Sequence, residues 1–210
     1  MTERVIQWGL RTAFGLLYNQ LAWAYDGISW LVSWGKWRSW QRAALPHLVG
    51  PAVLELGFGT GNFLRDLAEA YHQVWGLELS PCMVSIAQQK LHRSDLSLPL
   101  VLGRAQSLPF ATSTFDSVLA TFPSPFILQL DTLAETARVL RTGGRLVMLP
   151  AAYHHRRGFG GRLLDCLYAV TGQRGFPPWK TLLEPVGLCA TVEEIDLATS
   201  VVQIVIAVKN

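Results

Sequence analysis

Val53-Leu-Glu-Leu-Gly-Phe-Gly-Thr-Gly61 is a short apolar run that ends in a glycine-rich turn, with an acid, Glu55, two residues before the first glycine. Glycines at 57, 59 and 61 let the backbone turn sharply and keep any Cβ from standing between the main chain and a ligand. Working outward, the next apolar run, Val74-Trp-Gly-Leu-Glu-Leu79, carries a second acid, Glu78, near its end. An acid at the tip of a second strand accepts both hydroxyls of a ribose. No local partner for Glu78 is evident in the sequence. The turn and the acid together describe a nucleotide cradle.

The spacing of the turn narrows the ligand. A pyrophosphate fingerprint places its third glycine three residues after the second, so that a helix N-terminus faces a phosphate. Here that position is Asn62, and the third glycine comes early, at Gly61. Glu55 would repel a pyrophosphate, but it suits a ligand carrying an ammonium and a sulfonium. These features point to S-adenosylmethionine. At this point the chain resembles the class I S-adenosylmethionine-dependent methyltransferases, within them the branch of the ubiquinone and menaquinone methyltransferases.

Three further segments carry the resemblance in the expected order. Gly103-Arg-Ala-Gln-Ser-Leu-Pro-Phe110 resembles the family's loop around the adenine, and Thr114-Phe-Asp-Ser-Val-Leu-Ala-Thr-Phe122 its fourth strand. Glu135-Thr-Ala-Arg-Val-Leu-Arg-Thr-Gly-Gly-Arg-Leu-Val-Met148 resembles the helix, turn and fifth strand that follow. The resemblance implies an α/β fold: a Rossmann-like doubly wound sheet, mostly parallel with an antiparallel C-terminal strand. It implies S-adenosylmethionine as cofactor and S-adenosylhomocysteine as product. It places Glu55 at the methionine end with Gly57, Gly59, Thr60, Gly61 and Asn62 around the turn, Glu78 on the ribose and Leu79 against the adenine. Where the family usually has an aspartate for the adenine amino group, this chain has Arg104, which has no acceptor. Either Ala105 and Gln106 carry the adenine instead, or the adenine is held more weakly.

Composition sets the outer bounds. A chain of 210 residues is long enough for one α/β domain with a core of its own. Half the residues are hydrophobic and only 16% are charged, yet no uncharged stretch approaches the roughly 20 residues that cross a bilayer. Arg11, Asp26, Lys36, Arg38 and Arg42 interrupt the most apolar end, and nothing there resembles a cleavable signal, so the expected location is cytoplasmic. Cys82, Cys166 and Cys189 lack metal-site spacing and read as free thiols, and no metal is expected. A formal net charge of +3 without a long basic run argues against nucleic acid as partner. A monomer or a homodimer fits equally.

Apolar runs alternating with amphipathic patterns predict strands near 52–56, 74–79, 98–102, 115–120 and 144–150. Between them, Phe63, Leu64, Leu67 and Ala68 share a helical face, Pro81 opens the next helix, and Asp131 caps one that ends at Gly143-Gly144. A helix is expected near 161–171, and two strands over 186–196 and 201–209, which the family adds to the sheet antiparallel.

Residues 1–48 form a tryptophan-rich helical segment set against a donor-binding unit over 49–210. Trp8, Trp23, Trp30, Trp34, Trp37 and Trp40 lie in it, and on a continuous helix Trp23, Trp30, Trp34 and Trp37 would share one face, although Gly27 and Gly35 interrupt it. Three readings stand: a lid packed on the domain, a pocket for an apolar or cationic acceptor, or a surface resting on a membrane. Tyr18 and Tyr25-Asp26 resemble the family's N-terminal helix, whose tyrosines reach over the donor, which makes Tyr18 a substrate-binding candidate and Tyr25 a catalytic one. Thr121-Phe-Pro-Ser-Pro-Phe126 follows the fourth strand, where the fold sets acceptor against donor: Thr121 beside the donor, Phe122 and Pro123 as apolar walls, or else a rigid loop. His154 and His155, just past the fifth strand, are candidate general bases or a solvated loop with Arg156 and Arg157. The implied activity is methyl transfer to a small apolar molecule. The rivals are a non-catalytic donor-binding protein and a nicotinamide-dependent reductase, against which Glu55 and Asn62 argue.

Overall fold

The computed structural model describes residues 25–71, 73–155 and 178–210. Seven strands form one sheet: β1 Ala52–Leu56, β2 Gln73–Glu78, β3 Leu100–Leu102, β4 Phe115–Thr121, β5 Leu140–His154, β6 Leu188–Leu197 and β7 Ser200–Lys209, in the order β3-β2-β1-β4-β5-β7-β6. β1 to β5 pair in parallel, while β7 runs antiparallel to both β5 and β6. The strand order therefore reverses between β1 and β4, and a crevice opens beyond their C-terminal ends at that switch point.

Helices cover both faces: α1 Tyr25–Ser33, α2 Trp37–Arg42, α3 Asn62–Ala70, α4 Pro81–His92, α5 Leu130–Val139 and α6 Trp179–Leu183. Alternation along the strands feeds two cores. Val53, Leu119 and Val147 pack with Phe63, Leu64 and Leu67 of α3, with Trp40 joining them from α2. Leu54, Val118 and Leu146 pack on the other face with Leu133 of α5 and Leu183 of α6. All of β1 is buried, as a strand flanked by strands and covered by helices must be.

Several boundaries differ from the sequence expectation. β3 starts at Leu100 rather than 98, because Pro99 has no N–H for the ladder and offers only its carbonyl, to Gly76 N–H. Asp131 does not cap α5: Gln129 occupies the cap position and Asp131 lies in the first turn, where its charge favours the helix N-terminus. Nor does α5 reach Gly143-Gly144. Leu140 is already extended and pairs with Phe115, so the two glycines form an irregularity inside β5. A Cβ on Gly144 would lie 2.8 Å from the Arg141 carbonyl oxygen, so only glycine fits there. His154 is the last residue of β5, opposite Ser200, rather than past its end. The first of the two C-terminal strands begins at Leu188, after Gly187 at a φ of 78°.

The expected helix near 161–171, Tyr18, Trp8, Trp23, Arg156, Arg157, Cys166 and the Tyr25 side chain lie outside the described residues.

Candidate functional site

β1 ends at Leu56, and the turn that follows carries Gly57, Gly59 and Gly61 at φ values of 69°, 57° and 75°. Two of these glycines do different work. A Cβ on Gly61 would stand 2.7 Å from that of Ala87, so this glycine lets α3 and α4 approach. A Cβ on Gly59 would meet nothing within 4 Å, so this one faces open space on the ligand side.

Glu78 is buried at the tip of β2 and has the local partners that its sequence context did not reveal. Its Oε2 accepts a hydrogen bond from Gly59 N–H at 3.0 Å, and its Oε1 accepts from Leu79 N–H at 2.8 Å and Ser80 N–H at 2.9 Å. These bonds tie the second strand to the glycine turn and leave about one of the carboxylate's four lone-pair sites for a hydroxyl. Glu55 differs. It is buried in β1, its Oε2 has no hydrogen-bond partner, and burial, helped by the charges of Glu78 and Asp66, pushes its pKa up to about 8. A buried acceptor left unsatisfied asks for a donor, and a cation satisfies it best.

Leu79 is 61% exposed at the tip of β2 and Ala105 is buried close to β3. Gln106 Nε2 donates to Gln129 Oε1 at 2.8 Å. Glu135 and Arg138 of α5 hold the loop between them: Glu135 Oε2 accepts from Leu108 N–H, while Arg138 donates to the carbonyls of Leu108 and Phe110. Arg104 is exposed.

α1 and α2 lie across the glycine turn. Asp26 Oδ1 accepts from Thr60 Oγ1 at 2.6 Å and from Asn62 Nδ2 at 2.9 Å, and Lys90 Nζ bonds to Asp26 and to Asn62 Oδ1. Arg38 makes a two-pronged pair with the buried Asp66 of α3, at 2.8 and 2.7 Å. Gln41 Nε2 donates to Thr121 Oγ1 at 2.9 Å, while its own Oε1 is buried without a partner. Trp37 stacks on Phe122, ring centroids 4.1 Å apart. Between these helices and the turn remains a cleft of about 30 Å³, lined by Asp26, Ser29, Trp37 and Gln41 on one side and Gly57, Gly59, Thr60 and Thr121 on the other. That holds a water or two, too little by itself for a nucleoside. The cleft borders a larger cavity of about 520 Å³, with which it shares Asp26, Ser29, Trp37, Gln41 and Asn62.

The structure thus gathers Gly57, Gly59, Thr60, Asn62 and Thr121 on one cleft, with Glu55 and Glu78 in the adjoining strands. It does not bring His154 there: its ring lies 5.2 Å from that of Trp40, and it stands in the wall of neither cavity. His155 pairs with Asp196 at 2.9 Å. Phe122 and Pro123 are buried, and the Phe122 ring is already committed to Trp37 and Trp40. Sequence reasoning passed over Gln41 and Lys90. Gln41 had one signal, an uncharged amide flanked by Trp40 and Arg42, but only the register of α2 decides that it faces inward.

A family model described as a methyltransferase domain matches residues 54–148. A demethylmenaquinone methyltransferase from Tropheryma whipplei is 34% identical over 148 residues, covering 68% of this chain and 60% of the relative. One from Thermus thermophilus is 30% identical over 167 residues, covering 77% and 74%. The chain therefore spans about 60% of the length of the first of these relatives. Among solved structures, a geranyl diphosphate methyltransferase in complex with SAM superposes with a TM-score of 0.66 at 16% identity over 82% of this chain and 85% of that one, a likeness of fold.

Proposed function

Because the chain belongs to the class I S-adenosylmethionine-dependent methyltransferases, in the ubiquinone/menaquinone methyltransferase-like branch, we propose that it moves a methyl group from S-adenosylmethionine to a small apolar acceptor of the quinol kind. The observation that carries this reading is Glu55, a buried acid with an orphaned oxygen two residues from the glycine turn. It suits the ammonium of a methionine end as it would not suit a pyrophosphate. Bound there, S-adenosylmethionine supplies a methyl group on an already activated sulfonium.

The chain's own residues then bind and exclude. Glu78 keeps one lone pair for a ribose hydroxyl, Leu79 offers an apolar surface for the adenine, and the main chain at Gly59 leaves room for close approach. α1 and α2 act as a lid, with Trp37 and Phe122 as its apolar wall on the acceptor side. Such a site works by positioning and by excluding water, which suits an in-line displacement. The names of the relatives, demethylmenaquinone methyltransferases, support a quinol acceptor.

Calorimetric titration with S-adenosylmethionine, S-adenosylhomocysteine and NADH, on the parent and on Glu78→Ala, tests the donor site. Saturable binding of the first two, weakened at least tenfold in the variant, is expected, and a preference for NADH would sink the reading. Methyl transfer to a panel of quinols and lipid amines then tests turnover. Donor binding with no acceptor methylated would favour a donor-binding protein without catalysis.

A further inference from the structure

α1 closes in a turn that holds large apolar side chains away from the core. Trp34 and Gly35 both have positive φ, 54° and 75°, and Gly35 N–H donates to the Trp30 carbonyl at 2.8 Å. A Cβ on Gly35 would stand 3.0 Å from Trp30 Nε1, so the indole is laid against the turn. Yet Trp30 and Trp34 are each 65% exposed and Leu31 57%. Trp37 and Trp40, only a few residues on, turn inward onto Phe122. The outward placement of the first two is thus a property of this turn and not of a loosely packed segment.

Beside this edge lies the cavity of about 520 Å³, whose wall Trp30 shares with Arg38, Arg65, Lys90 and Arg93. Lys90 is paired with Asp26 and Arg38 with Asp66. Among the described residues neither Arg65 nor Arg93 has an ion-pair partner, so the wall keeps an uncompensated positive charge next to an exposed aromatic edge. No helix among the described residues is long and apolar enough to cross a membrane.

We propose that this face docks on an anionic phospholipid bilayer, with Trp30, Leu31 and Trp34 entering the interfacial layer and a phosphate headgroup meeting Arg65 and Arg93 at the cavity. Tryptophan suits that layer because its ring is apolar and its N–H is polar. Basic side chains close to an anionic leaflet each add attraction that salt screens. The contact is peripheral and reversible. It goes beyond the methyl-transfer reading and stands without it, although it would bring the cleft to where an apolar acceptor dissolves.

The test is co-sedimentation of the full chain with phosphatidylcholine vesicles, with and without phosphatidylglycerol, read together with tryptophan fluorescence. Binding is expected only to the phosphatidylglycerol vesicles, with a blue-shifted emission, and should weaken steeply with salt. Trp30→Ala/Trp34→Ala should lose at least tenfold in affinity, and Arg65→Gln/Arg93→Gln about 25-fold. Thermal melts establish that the variants fold, and the single changes Trp34→Ala and Arg93→Gln serve where a double variant melts early. No vesicle binding, equal binding to neutral vesicles, or binding unchanged in both double variants overturns the proposal. So does a concentration-dependent dimer abolished by Trp30→Ala/Trp34→Ala, which would give the face to a second copy of the chain. Vesicle binding and donor titration are separate signals, so either can fail alone.

Discussion

Glu55 couples proton, donor and stability in one side chain. Its folded pKa, about 8, lies above the ordinary carboxylate value because burial disfavours the charge, with Glu78 and Asp66 adding to the effect. An acid whose pKa is raised by folding contributes its full stability below the unfolded pKa and loses it as pH rises toward the folded value. Between about pH 4.5 and pH 8 the fold should therefore lose stability on the order of a few kcal/mol on this account. Glu55→Gln removes the titration, so its melting temperature should match the parent near pH 4.5 and increasingly exceed it toward pH 8 in paired thermal melts. Donor binding carries the complementary sign. A cation brought to the orphaned oxygen pulls the pKa down, so close to one proton should leave per S-adenosylmethionine bound at pH 7. Calorimetry in buffers of different ionisation enthalpy measures that release, and Glu55→Gln should abolish it. Glu78 is the other residue-scale test. Glu78→Gln weakens three hydrogen bonds to backbone N–H groups and should cost about 1–3 kcal/mol in urea unfolding, besides its effect on the donor. The placement of both acids was legible in the sequence: Glu55 lies buried in the strand before the glycine turn and Glu78 buried at the tip of β2. The three N–H partners of Glu78 were not legible, since one of them, Gly59, lies across the parallel pairing of β1 and β2.

The contacts that hold α1 and α2 over the glycine turn set how readily these helices open. Arg38 grips the buried Asp66 in two bonds, while Arg42 stands 3.7 Å from the same carboxylate. Removing one partner of a buried pair usually costs about 3–5 kcal/mol. Arg38 is itself half exposed and Arg42 stands in reserve, so Arg38→Ala should cost less, about 1–2 kcal/mol, in urea unfolding. The same change should speed donor association in stopped-flow fluorescence, because α2 then leaves the turn more easily. A fall in the association rate would mean that the opening movement does not involve α2. The sequence revealed that residues 1–48 differ from the rest in composition, but not how the tryptophans divide. Helical periodicity grouped Trp30, Trp34 and Trp37 on one face, and the positive φ at Trp34 and Gly35 breaks that register. It sends Trp37 to Phe122 and leaves Trp34 outside. The end of α5 departs from its local signal for a related reason: Gly143-Gly144 looks like a helix stop, yet the pairing of Leu140 with Phe115 ends the helix sooner. In each case a contact distant in sequence overrode a local signal.

At the scale of the whole molecule, the sheet separates what binds from what stabilises. The residues that line the cleft come from the turn after β1, the end of β4 and the two helices that overlie them. β6 and β7 form an antiparallel pair beyond β5, so within the sheet β7 reaches β4 and β1 only through β5. Their order in the chain was legible from two apolar runs at the C-terminal end, and the resemblance supplied their direction. The extent of β5 was not legible, because its pairing with Ser200 draws it out as far as His154. This pairing also accounts for His154 lining neither cavity: the strand is drawn out by its partner, and the imidazole comes to rest beside Trp40, whose own N–H donates to Ser200 Oγ at 2.8 Å. The separation predicts two contrasting outcomes. Ile204→Ala opens a cavity at a fully buried position of β7 and should cost about 2–5 kcal/mol of stability, while the affinity for S-adenosylmethionine stays within about twofold at a temperature where the variant is folded. Gly59→Ala should do the reverse. Its Cβ meets no atom of the fold, so the strain is confined to a left-handed φ worth about 1–2 kcal/mol, but it stands on the open side of the turn and should weaken donor binding at least tenfold. Denaturant unfolding and calorimetry on the same two variants measure both quantities. If Ile204→Ala weakened the donor as much as Gly59→Ala, β5 or the core that Ile204 shares with Trp40 would have to transmit strain from β7 to the crevice, and the cleft could not be treated as a site carried by β1 and β4 alone.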